Sequence, residues 1–337
     1  MNAGEPGAAP LRLLLSAASA QRLAPAIAAA LGGRAHQLVS PGDAEAARAD
    51  IAFVSRDVTA LSTKHELEPV TARFYDAMRG APGLRWVHTH SAGADRPVFV
   101  ALRERGVQVT TSSGANAAVV AQSALAGVLA LSRKLPQLMA AQRARRWAPL
   151  IGSGLPRDLE GQTAVLVGWG PIGQRLGGLL HALGLKRVVV RQSGQPAGPN
   201  IRTVTYEALP EVLPGADWLL LACPLTERTR GLIDAAALAQ LPRSAHLVNV
   251  ARGEIVDEPA LIEALQQRRL AGAFLDVFAH EPLPSESPLW TLDNVIATPH
   301  SAGFSDGNAA RVERLFLDNL ARWQRGEPLL NLAGGAG

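Results

Sequence analysis

The sequence predicts an α/β protein of two domains, each built on a parallel sheet. Short apolar runs alternate along the chain with longer segments whose apolar residues recur at helical spacing. Alternating strands and helices are typical of parallel sheets, because each crossover between parallel strands needs a covering segment. The chain has 337 residues, of which 47% are hydrophobic, so two domains of ordinary size can each bury a core.

Strand and helix signals alternate through the first third of the chain. Ala18–Leu31 is alanine-rich and is followed by two glycines, which predicts a helix with its stop signal. Glu68–Met78 carries apolar residues at helical spacing and predicts a second helix. Strands are expected at Leu11–Leu15, Asp50–Val54, Leu84–Thr89 and Val107–Thr111.

The next segment predicts a hinge, a long helix and an arm. Ser112–Asn116 is small and polar, as a hinge would be. Ala117–Leu135 predicts a long, largely buried helix. Gln142–Pro156 has no clear periodicity and contains Trp147, two prolines and two glycines, so we expect an arm or interface loop there.

The second half of the chain opens with a strand, a glycine turn and a helix. Ala164–Val167 is apolar and partly β-branched, and Gly168, Gly170 and Gly173 follow it in the order G-x-G-x-x-G. In this context the pattern indicates a dinucleotide site. Gly168 is expected to let the chain reverse, Gly170 to let the backbone approach a pyrophosphate, and Gly173 to let the helix pack close to the strand. The N–H groups at the helix start would face the phosphates.

Further strands and helices continue the same alternation to the end of the chain. Asp257–Arg268 predicts a helix with Asp257 as its N-cap, and Asn308–Arg325 predicts an amphipathic helix that stops at Gly326. Strands are expected at Arg187–Val190, Asp217–Ala222, Ala245–Asn249, Ala273–Val277 and Asn294–Thr298.

Composition argues against several other classes of protein. The formal charge is +4 with a pI near 9.8, but the basic residues are mostly scattered. We interpret them as solvated surface and expect no nucleic-acid partner. The single cysteine, Cys223, fits a reducing compartment, and a cytoplasmic location is expected. We see no signal peptide at the N-terminus and no apolar stretch long enough to cross a bilayer, so no membrane partner is expected either.

Four further motifs each follow a predicted strand. They are LACPLTERT at 221–229, VNVARGEIVD at 248–257, LDVFAHEP at 275–282 and ATPHSAG at 297–303. Together with the glycine turn, they resemble the D-isomer-specific 2-hydroxyacid dehydrogenase family, in register from about Leu84 to Phe304. The resemblance implies reduction of a small 2-oxoacid to the D-2-hydroxyacid with NAD(P)H. The substrate would be glyoxylate, hydroxypyruvate or a larger 2-oxoacid.

The resemblance also implies a split architecture. Residues 1–114 plus 304–337 would form a flavodoxin-like substrate domain. Residues 115–303 would form a Rossmann-like nucleotide domain inserted into it, with the active site in the cleft. The family is usually homodimeric, which places the long helix and the following arm at an interface.

Three residues are expected to carry the chemistry. His300 can exchange a proton with a ketone oxygen near neutral pH. Glu281 would hold the tautomer of His300 and stabilise its protonated form. Arg252 can fork two N–H donors onto a planar carboxylate. The loop with Ala92 and Gly93 matches the family's substrate loop, whose backbone N–H groups would meet the same carboxylate.

Cofactor contacts are expected in the turns that follow the strands. By resemblance, Asp276 would bind the nicotinamide carboxamide, and Cys223 with Pro224 would lie along the cofactor. Thr229 is assigned either to the cofactor phosphates or to a solvated turn. The full set is Gly168, Gly170, Pro171, Ile172, Gly173, Arg191, Gln192, Ser193, Cys223, Pro224, Thr229, Val250, Ala251, Asp276, His300 and Ala302.

The position that selects the cofactor departs from the NAD pattern. NAD-binding folds place an acid about 20 residues after the glycine turn, where it binds the ribose 2′-hydroxyl. Here Arg191, Gln192 and Ser193 stand at that place, with no acid beside them. Because an arginine attracts a 2′-phosphate, the sequence predicts that NADP(H) is preferred, with NAD(H) as a possible alternative.

Two other functions are alternatives, and only the first of them fits the same motifs. One is a catalytically weak protein that senses NAD(P)H, such as a corepressor on the same fold, which would bind cofactor without turnover. The other is a nucleic-acid binder, suggested only by the high pI. No metal site is expected, because His88 and His90 have no further ligand cluster beside them.

Overall fold

The computed structural model describes residues 9–152 and 154–334, which fall into two compact units. One unit contains the described residues of Met1–Asn116 and Ser305–Gly337, and the other is Ala117–Phe304. These boundaries lie within two residues of those expected from the sequence. The prediction that residues 1–10 contain no secretion signal concerns a segment that lies mostly outside the described residues.

The described residues of the first unit form five parallel strands in the order β2-β1-β3-β4-β5. The chain adds β2 on one side of β1 and then adds β3, β4 and β5 in turn on the other side. This single reversal of strand order is the doubly wound arrangement. The strands are β1 (Leu11–Leu14), β2 (His36–Val39), β3 (Ile51–Val54), β4 (Trp86–Thr89) and β5 (Gln108–Thr111), and the helices α1 (Ala17–Ala30), α2 (Arg56–Thr59), α3 (Pro69–Arg79) and α4 (Pro97–Glu104).

The second unit, as far as it is described, contains seven parallel strands in the order β12-β11-β10-β9-β6-β7-β8. The strand order reverses between β6 and β9, the place where open α/β sheets bind their ligands. The helices are α5 (Ala117–Ser132), α6 (Leu135–Arg143), α7 (Pro171–Ala182), α8 (Ala235–Gln240) and α9 (Glu258–Gln266), and the strands β6 (Thr163–Val167), β7 (Lys186–Val190), β8 (Arg202–Val204), β9 (Trp218–Leu221), β10 (His246–Asn249), β11 (Gly272–Leu275) and β12 (Val295–Ala297).

The last helix, α10 (Asn308–Arg325), belongs to the first unit and packs on its sheet. Phe316 stacks on Phe53 of β3 with ring centroids 4.3 Å apart and lies 5.7 Å from the ring of Trp86 in β4. The helix ends at Gly326 in the left-handed conformation, at the residue that the sequence predicted. The predicted α/β class with two parallel sheets is confirmed.

The prediction of one helix over Ala117–Leu135 is wrong at its C-terminal end. α5 ends at Ser132, Lys134 adopts a φ of +52°, and α6 starts at Leu135 with its axis bent 70° from that of α5. Pro136 explains the break, since its ring excludes a helical partner four residues earlier and it donates no hydrogen bond. α6 also takes the first two residues of the expected arm.

The structure contains two short edge strands, β2 and β8, that the sequence did not predict. Both lie at the outer edge of their sheets. His36–Val39 has one fully buried residue and Arg202–Val204 has none, so neither forms an apolar run.

In the described part of the chain, no single helix is both long and apolar enough to span a bilayer. The bent pair α5 and α6 together has the length and composition of a membrane span, and these two properties are the only ones that favour it.

Candidate active site

The residues assigned to the cofactor and to catalysis follow the strands of the second unit. Parallel strands place their carboxyl ends at one edge of the sheet, so residues far apart in sequence meet there. Gly168 follows β6, Arg191 follows β7, Cys223 follows β9, Arg252 follows β10, Asp276 follows β11 and His300 follows β12.

The glycine turn is built by close backbone packing. Gly168 has a φ of +102°, and a Cβ on it would lie 2.6 Å from the backbone nitrogen of Cys223. A Cβ on Gly173 would lie 2.2 Å from the carbonyl oxygen of Gly168. Gly173 therefore packs α7 against the turn itself, which refines the expectation that it packs against the strand. The fold requires both residues to be glycine.

Gly170 has a different reason to be glycine. No described atom lies within 4 Å of the position its Cβ would take, so the protein's own packing does not demand the missing side chain. Gly170 is the N-cap of α7, Pro171 occupies the first turn, and no described side chain caps this end. The open side of Gly170 and the uncapped first turn, which includes Ile172 and Gly173, suit a phosphate. The turn therefore fits a dinucleotide.

The chain after β7 carries positive charge where an acid would select NAD. Arg191 is half-buried, its backbone N–H donates to Val204 at 3.0 Å, and Gln192 and Ser193 are exposed. Burial raises the pKa of Tyr206 to about 12, while the charges of Arg228 and Arg191 act in the opposite direction. The nearest acid along the chain, Glu207, forms an ion pair with Arg228.

The segment after β9 is tightly folded. Cys223 is buried in the core of this unit, and burial raises the pKa of its thiol to about 12. Pro224 is exposed. Thr229 is 1% exposed, and its hydroxyl donates to the Pro224 carbonyl at 2.8 Å and accepts from the Thr226 N–H at 2.8 Å. The hydroxyl of Thr229 thus stabilises its own turn, and its contact with cofactor phosphates stays a prediction.

Asp276 organises the loop that carries His300. Its Oδ1 accepts from the Thr298 hydroxyl at 2.6 Å and from the backbone N–H groups of Ser301 and Ala302 at 2.8 and 3.0 Å. Burial raises the pKa of Asp276, and these hydrogen bonds oppose that rise. The sequence assigned Asp276 to the nicotinamide and did not anticipate this positioning role.

His300 and Glu281 are in direct contact. His300 Nδ1 lies 2.8 Å from Glu281 Oε2, and Glu281 Oε1 accepts from the Phe278 N–H at 3.1 Å. The Glu281 side chain is 16% exposed and that of His300 is 48% exposed, so the carboxylate is sheltered while the imidazole remains accessible. Burial favours the neutral form of Glu281, but the hydrogen bond and charge of His300 hold its pKa below the usual value.

Arg252 lies in a turn that is held on both sides. Asn249 donates to the Arg252 carbonyl at 3.0 Å and accepts from the Ala251 N–H at 3.0 Å. A Cβ on Gly253 would lie 1.9 Å from the carbonyl carbon of Phe278, so the turn after β10 packs directly on the segment that leads to Glu281. The charge of Arg252 contributes to the lowered pKa of Glu281.

Asn249 and Gly253 are functional positions that the sequence interpretation missed. Both belong to the VNVARG motif, in which only Val250, Ala251 and Arg252 were assigned roles. An Asn at a strand end and a Gly after an Arg were the available signals, but neither shows which loop it contacts.

The predicted substrate loop lies in the first unit, at the carboxyl end of β4. The Ser91 hydroxyl donates to the Gly93 carbonyl at 2.6 Å, and the Ser91 carbonyl accepts from the Ser112 N–H at 2.8 Å. Ala92 is exposed in this loop, and Gly93 is half-buried. The contact of Ala92 and Gly93 with substrate stays a prediction.

The two histidines before this loop have structural partners. His88 is buried between Thr110 and Ser112, at 2.8 and 3.1 Å, and burial lowers its pKa to about 3. His90 Nε2 lies 2.8 Å from the Thr59 hydroxyl, and burial followed by the charges of Arg56 and Arg96 lowers its pKa to about 3.

Comparisons with known proteins identify the family of the chain. Residues 125–302 match the family model described as D-isomer specific 2-hydroxyacid dehydrogenase, NAD binding domain. The chain is 32% identical to a glyoxylate reductase of Korarchaeum cryptofilum over 79% of its own length and 80% of the relative's. It is 37% identical to an (S)-sulfolactate dehydrogenase of Chromohalobacter salexigens over 72% and 78% of the two lengths.

A solved structure extends the similarity over the whole chain. A D-isomer specific 2-hydroxyacid dehydrogenase from Xanthobacter autotrophicus Py2, in complex with NADPH and MES, is 32% identical, with a TM-score of 0.75. The match covers 97% of this chain and 98% of that one. The chain thus belongs to the D-isomer-specific 2-hydroxyacid dehydrogenase family and is an NAD(P)-dependent 2-hydroxyacid dehydrogenase.

Proposed function

We propose that the protein reduces a small 2-oxoacid to the D-2-hydroxyacid, with His300 as proton donor, Glu281 as its partner and Arg252 as carboxylate clamp. The observation that carries this proposal is the 2.8 Å contact between His300 Nδ1 and the sheltered Glu281 carboxylate. A carboxylate on one ring nitrogen fixes the tautomer and leaves Nε2 as the nitrogen that exchanges a proton.

In this proposal, each residue has a defined role in moving the proton or holding a charge. A reduced nicotinamide bound at the glycine turn would supply the hydride to the carbonyl carbon. His300 Nε2 then gives its proton to the carbonyl oxygen, and Glu281 stabilises the imidazolium before that transfer. Arg252 holds the substrate carboxylate with a pair of N–H donors.

The cofactor in this proposal is NADPH. Arg191 stands at the 2′-position after β7, and residues 191–200 contain no acid that would repel a 2′-phosphate. The neighbour from Xanthobacter autotrophicus is itself in complex with NADPH. NADH would bind the same glycine turn with fewer charge contacts.

Initial rates of NADPH and NADH oxidation test the proposal. The acceptors would be glyoxylate, hydroxypyruvate, pyruvate, phenylpyruvate and 2-oxoisocaproate, each assayed with both cofactors. We expect oxoacid-dependent oxidation that is faster with NADPH. In Arg191→Asp the preference should reverse, because the new carboxylate repels the 2′-phosphate and accepts from the ribose hydroxyl. Cofactor binding without oxidation of any acid would contradict the proposal and favour the sensor.

We further propose that the active protein is a homodimer formed through α6 and the arm after it. Large apolar side chains are exposed there: Leu135 and Met139 are 43% and 48% exposed, and Trp147, Ile151 and Leu155 are 97%, 80% and 73% exposed. An apolar stripe of this kind is costly in water and is typical of a surface that a partner covers.

A further inference from the structure

A cavity of about 750 Å³ lies in the second unit, at the edge of the sheet opposite the glycine turn. The first residues of three neighbouring strands line it: Thr163 in β6, Lys186 in β7 and Arg202 in β8. Parallel strands all begin at one edge of a sheet, so these residues lie at the amino edge. The proposed reaction uses the carboxyl edge and gives this cavity no role. We call it the amino-edge cavity.

Strand register directs these three side chains to one face of the sheet. Thr163 is the register partner of Lys186, and Arg202 is the partner of Val188. Side chains alternate between the two faces of a strand, so Lys186 and Val188 point the same way and their partners point with them. Neighbouring strands are about 4.8 Å apart, so a hydroxyl, an ammonium and a guanidinium can reach one ligand.

The polar side chains of the cavity have few partners of their own. In the part of the chain that the structure describes, the side chains of Lys186, Arg187 and Thr163 make neither a hydrogen bond nor an ion pair. Arg202 Nη2 lies 3.8 Å from Glu211 Oε2, and both side chains are more than half exposed. An exposed pair at this distance contributes little stability, so Arg202 can turn to a stronger acceptor.

Positive charge exceeds negative charge around the cavity. Lys186, Arg187 and Arg202 line it, and Glu211 is the acid among its lining residues. Glu160 packs against a glycine of the wall. Even with that carboxylate counted, three basic side chains stand against two acids, so the cavity favours an anion.

Asp217 also lies next to Thr163, but its charge is already balanced. Its Oδ2 accepts from the Thr163 N–H at 2.9 Å, and its Oδ1 pairs with Arg157 at 2.7 Å. This carboxylate therefore adds little repulsion toward an anion in the cavity.

The remaining wall of the cavity is partly apolar. Leu185, Val188 and Val212 line it, and Leu185 and Val212 are buried. Small-molecule sites have volumes of roughly 300–1,000 Å³, and this cavity falls within that range. Apolar walls beside a group of cations suit an organic anion better than a bare inorganic ion. Donors from three separate strands suit a tetrahedral phosphate, which offers more oxygens than a planar carboxylate.

We propose that the amino-edge cavity binds the phosphate ester of a small organic molecule of the size of a sugar phosphate. Lys186 and Arg202 hold the phosphate oxygens, and the Thr163 hydroxyl donates a third hydrogen bond. The organic part lies against the apolar wall. Since β6 and β7 separate this cavity from the glycine turn, the phosphate ester and the nicotinamide cofactor bind at the same time.

Calorimetric titration of the full chain tests the proposal. Ribose 5-phosphate and fructose 1,6-bisphosphate are the probes, and ribose is the uncharged match of the first. The titrations are run with and without saturating NADH, which fills the glycine turn and excludes the probes from it. We expect saturable binding of a phosphate probe at least about tenfold tighter than that of ribose, with NADH present as well as absent.

Single substitutions locate the binding site. Lys186→Gln and Arg202→Gln should each weaken binding of the phosphate probe at least about tenfold. Arg243→Gln is the matched control, because Arg243 is exposed at the same edge of the sheet, three residues before β10, and does not line the cavity. It removes one charge and should leave binding unchanged. The melting temperature of each unliganded variant checks that it is folded.

Four results would overturn the inference. They are no saturable binding of either phosphate probe at millimolar concentration, equal affinity for ribose and ribose 5-phosphate, loss of binding when NADH is present, and equal weakening in Arg243→Gln and Lys186→Gln. The third result would assign the probe to the glycine turn, and the fourth would show a general effect of charge. None of them bears on the proposed reduction of a 2-oxoacid.

Discussion

The backbone of His300 is held in the left-handed conformation. His300 is not glycine, yet its φ is +50°, and its N–H lies between the carbonyls of Asp276 and Thr298 at 2.8 and 2.9 Å. Such a conformation costs free energy and persists only where the surroundings enforce it. Asp276 supplies that enforcement through its carbonyl and its carboxylate, so a buried acid orients the residue that we propose as proton donor.

Replacing Glu281 by Gln should change the pH dependence of reduction. The Glu281 carboxylate lies 2.8 Å from His300 Nδ1 and can stabilise the imidazolium that the proposed mechanism needs, whereas an amide cannot. We expect the alkaline limb of the kcat/KM profile to move to lower pH, with about a tenfold loss at pH 7.5. Glu286→Gln, an exposed change nearby, should leave the profile unchanged. An unaltered profile in Glu281→Gln would refute the pairing.

His88 should make the fold sensitive to acid. Its pKa is about 3 in the folded protein and near 6.5 in the unfolded chain, so between these values the unfolded state binds more protons. Stability is then fully present above pH 6.5 and falls with decreasing pH by about 1.4 kcal/mol per unit until pH 3. His90 acts in the same direction.

Urea unfolding between pH 4 and 7 measures this slope. His88→Gln should flatten the slope by about one proton, and the exposed His181→Gln should not change it. If His88→Gln does not fold, titration of the imidazole by NMR in the unmodified protein replaces it. A His88 ring that protonates near pH 6 would disprove this origin of acid sensitivity.

At the scale of elements, the strand-to-helix turn after β6 is tightly packed. Gly173 contacts the Gly168 carbonyl and Gly177 packs on the ring of Trp169, so α7 lies close to the turn along one face. Gly178, one residue further along the same helix, faces open space. Gly173 and Gly177 therefore leave no space for a side chain, whereas a Cβ at Gly178 would meet no other described atom.

Alanine substitutions in α7 separate these two cases. Gly173→Ala should lower the free energy of unfolding by about 1–3 kcal/mol and weaken NADPH binding, because the methyl group has no space beside the turn. Gly178→Ala should raise the free energy by about 0.5–1 kcal/mol, because Ala restricts the unfolded chain more. Urea unfolding and cofactor fluorescence measure both effects. Equal responses of the two variants would contradict the packing described for the turn.

At the scale of the whole molecule, the exposed apolar arm predicts self-association. Light scattering should give a mass near twice 35.4 kDa. The double change Trp147→Glu with Ile151→Glu should lower that mass toward the monomer, because each charge would have to be buried at the contact. Leu61→Glu, at a residue 82% exposed in the first unit, should leave the mass unchanged. A monomer at micromolar concentration in the unmodified protein would refute the proposal.

The sequence by itself determined the α/β class and the order of most elements, and it predicts which strand ends carry the chemistry. Periodicity, glycine turns and caps are local signals, so α10 and its end at Gly326 could be predicted from neighbouring residues alone. The break after Ser132 also has a local cause in the sequence, Pro136.

Only the tertiary structure decided which distant residues touch. The contact of Gly253 with Phe278 and the role of Asp276 beneath the His300 loop depend on how the strands are ordered in the sheet. The edge strands β2 and β8 likewise form only because a neighbouring strand offers them hydrogen bonds. Such contacts join residues far apart along the chain, and local patterns carry no information about them.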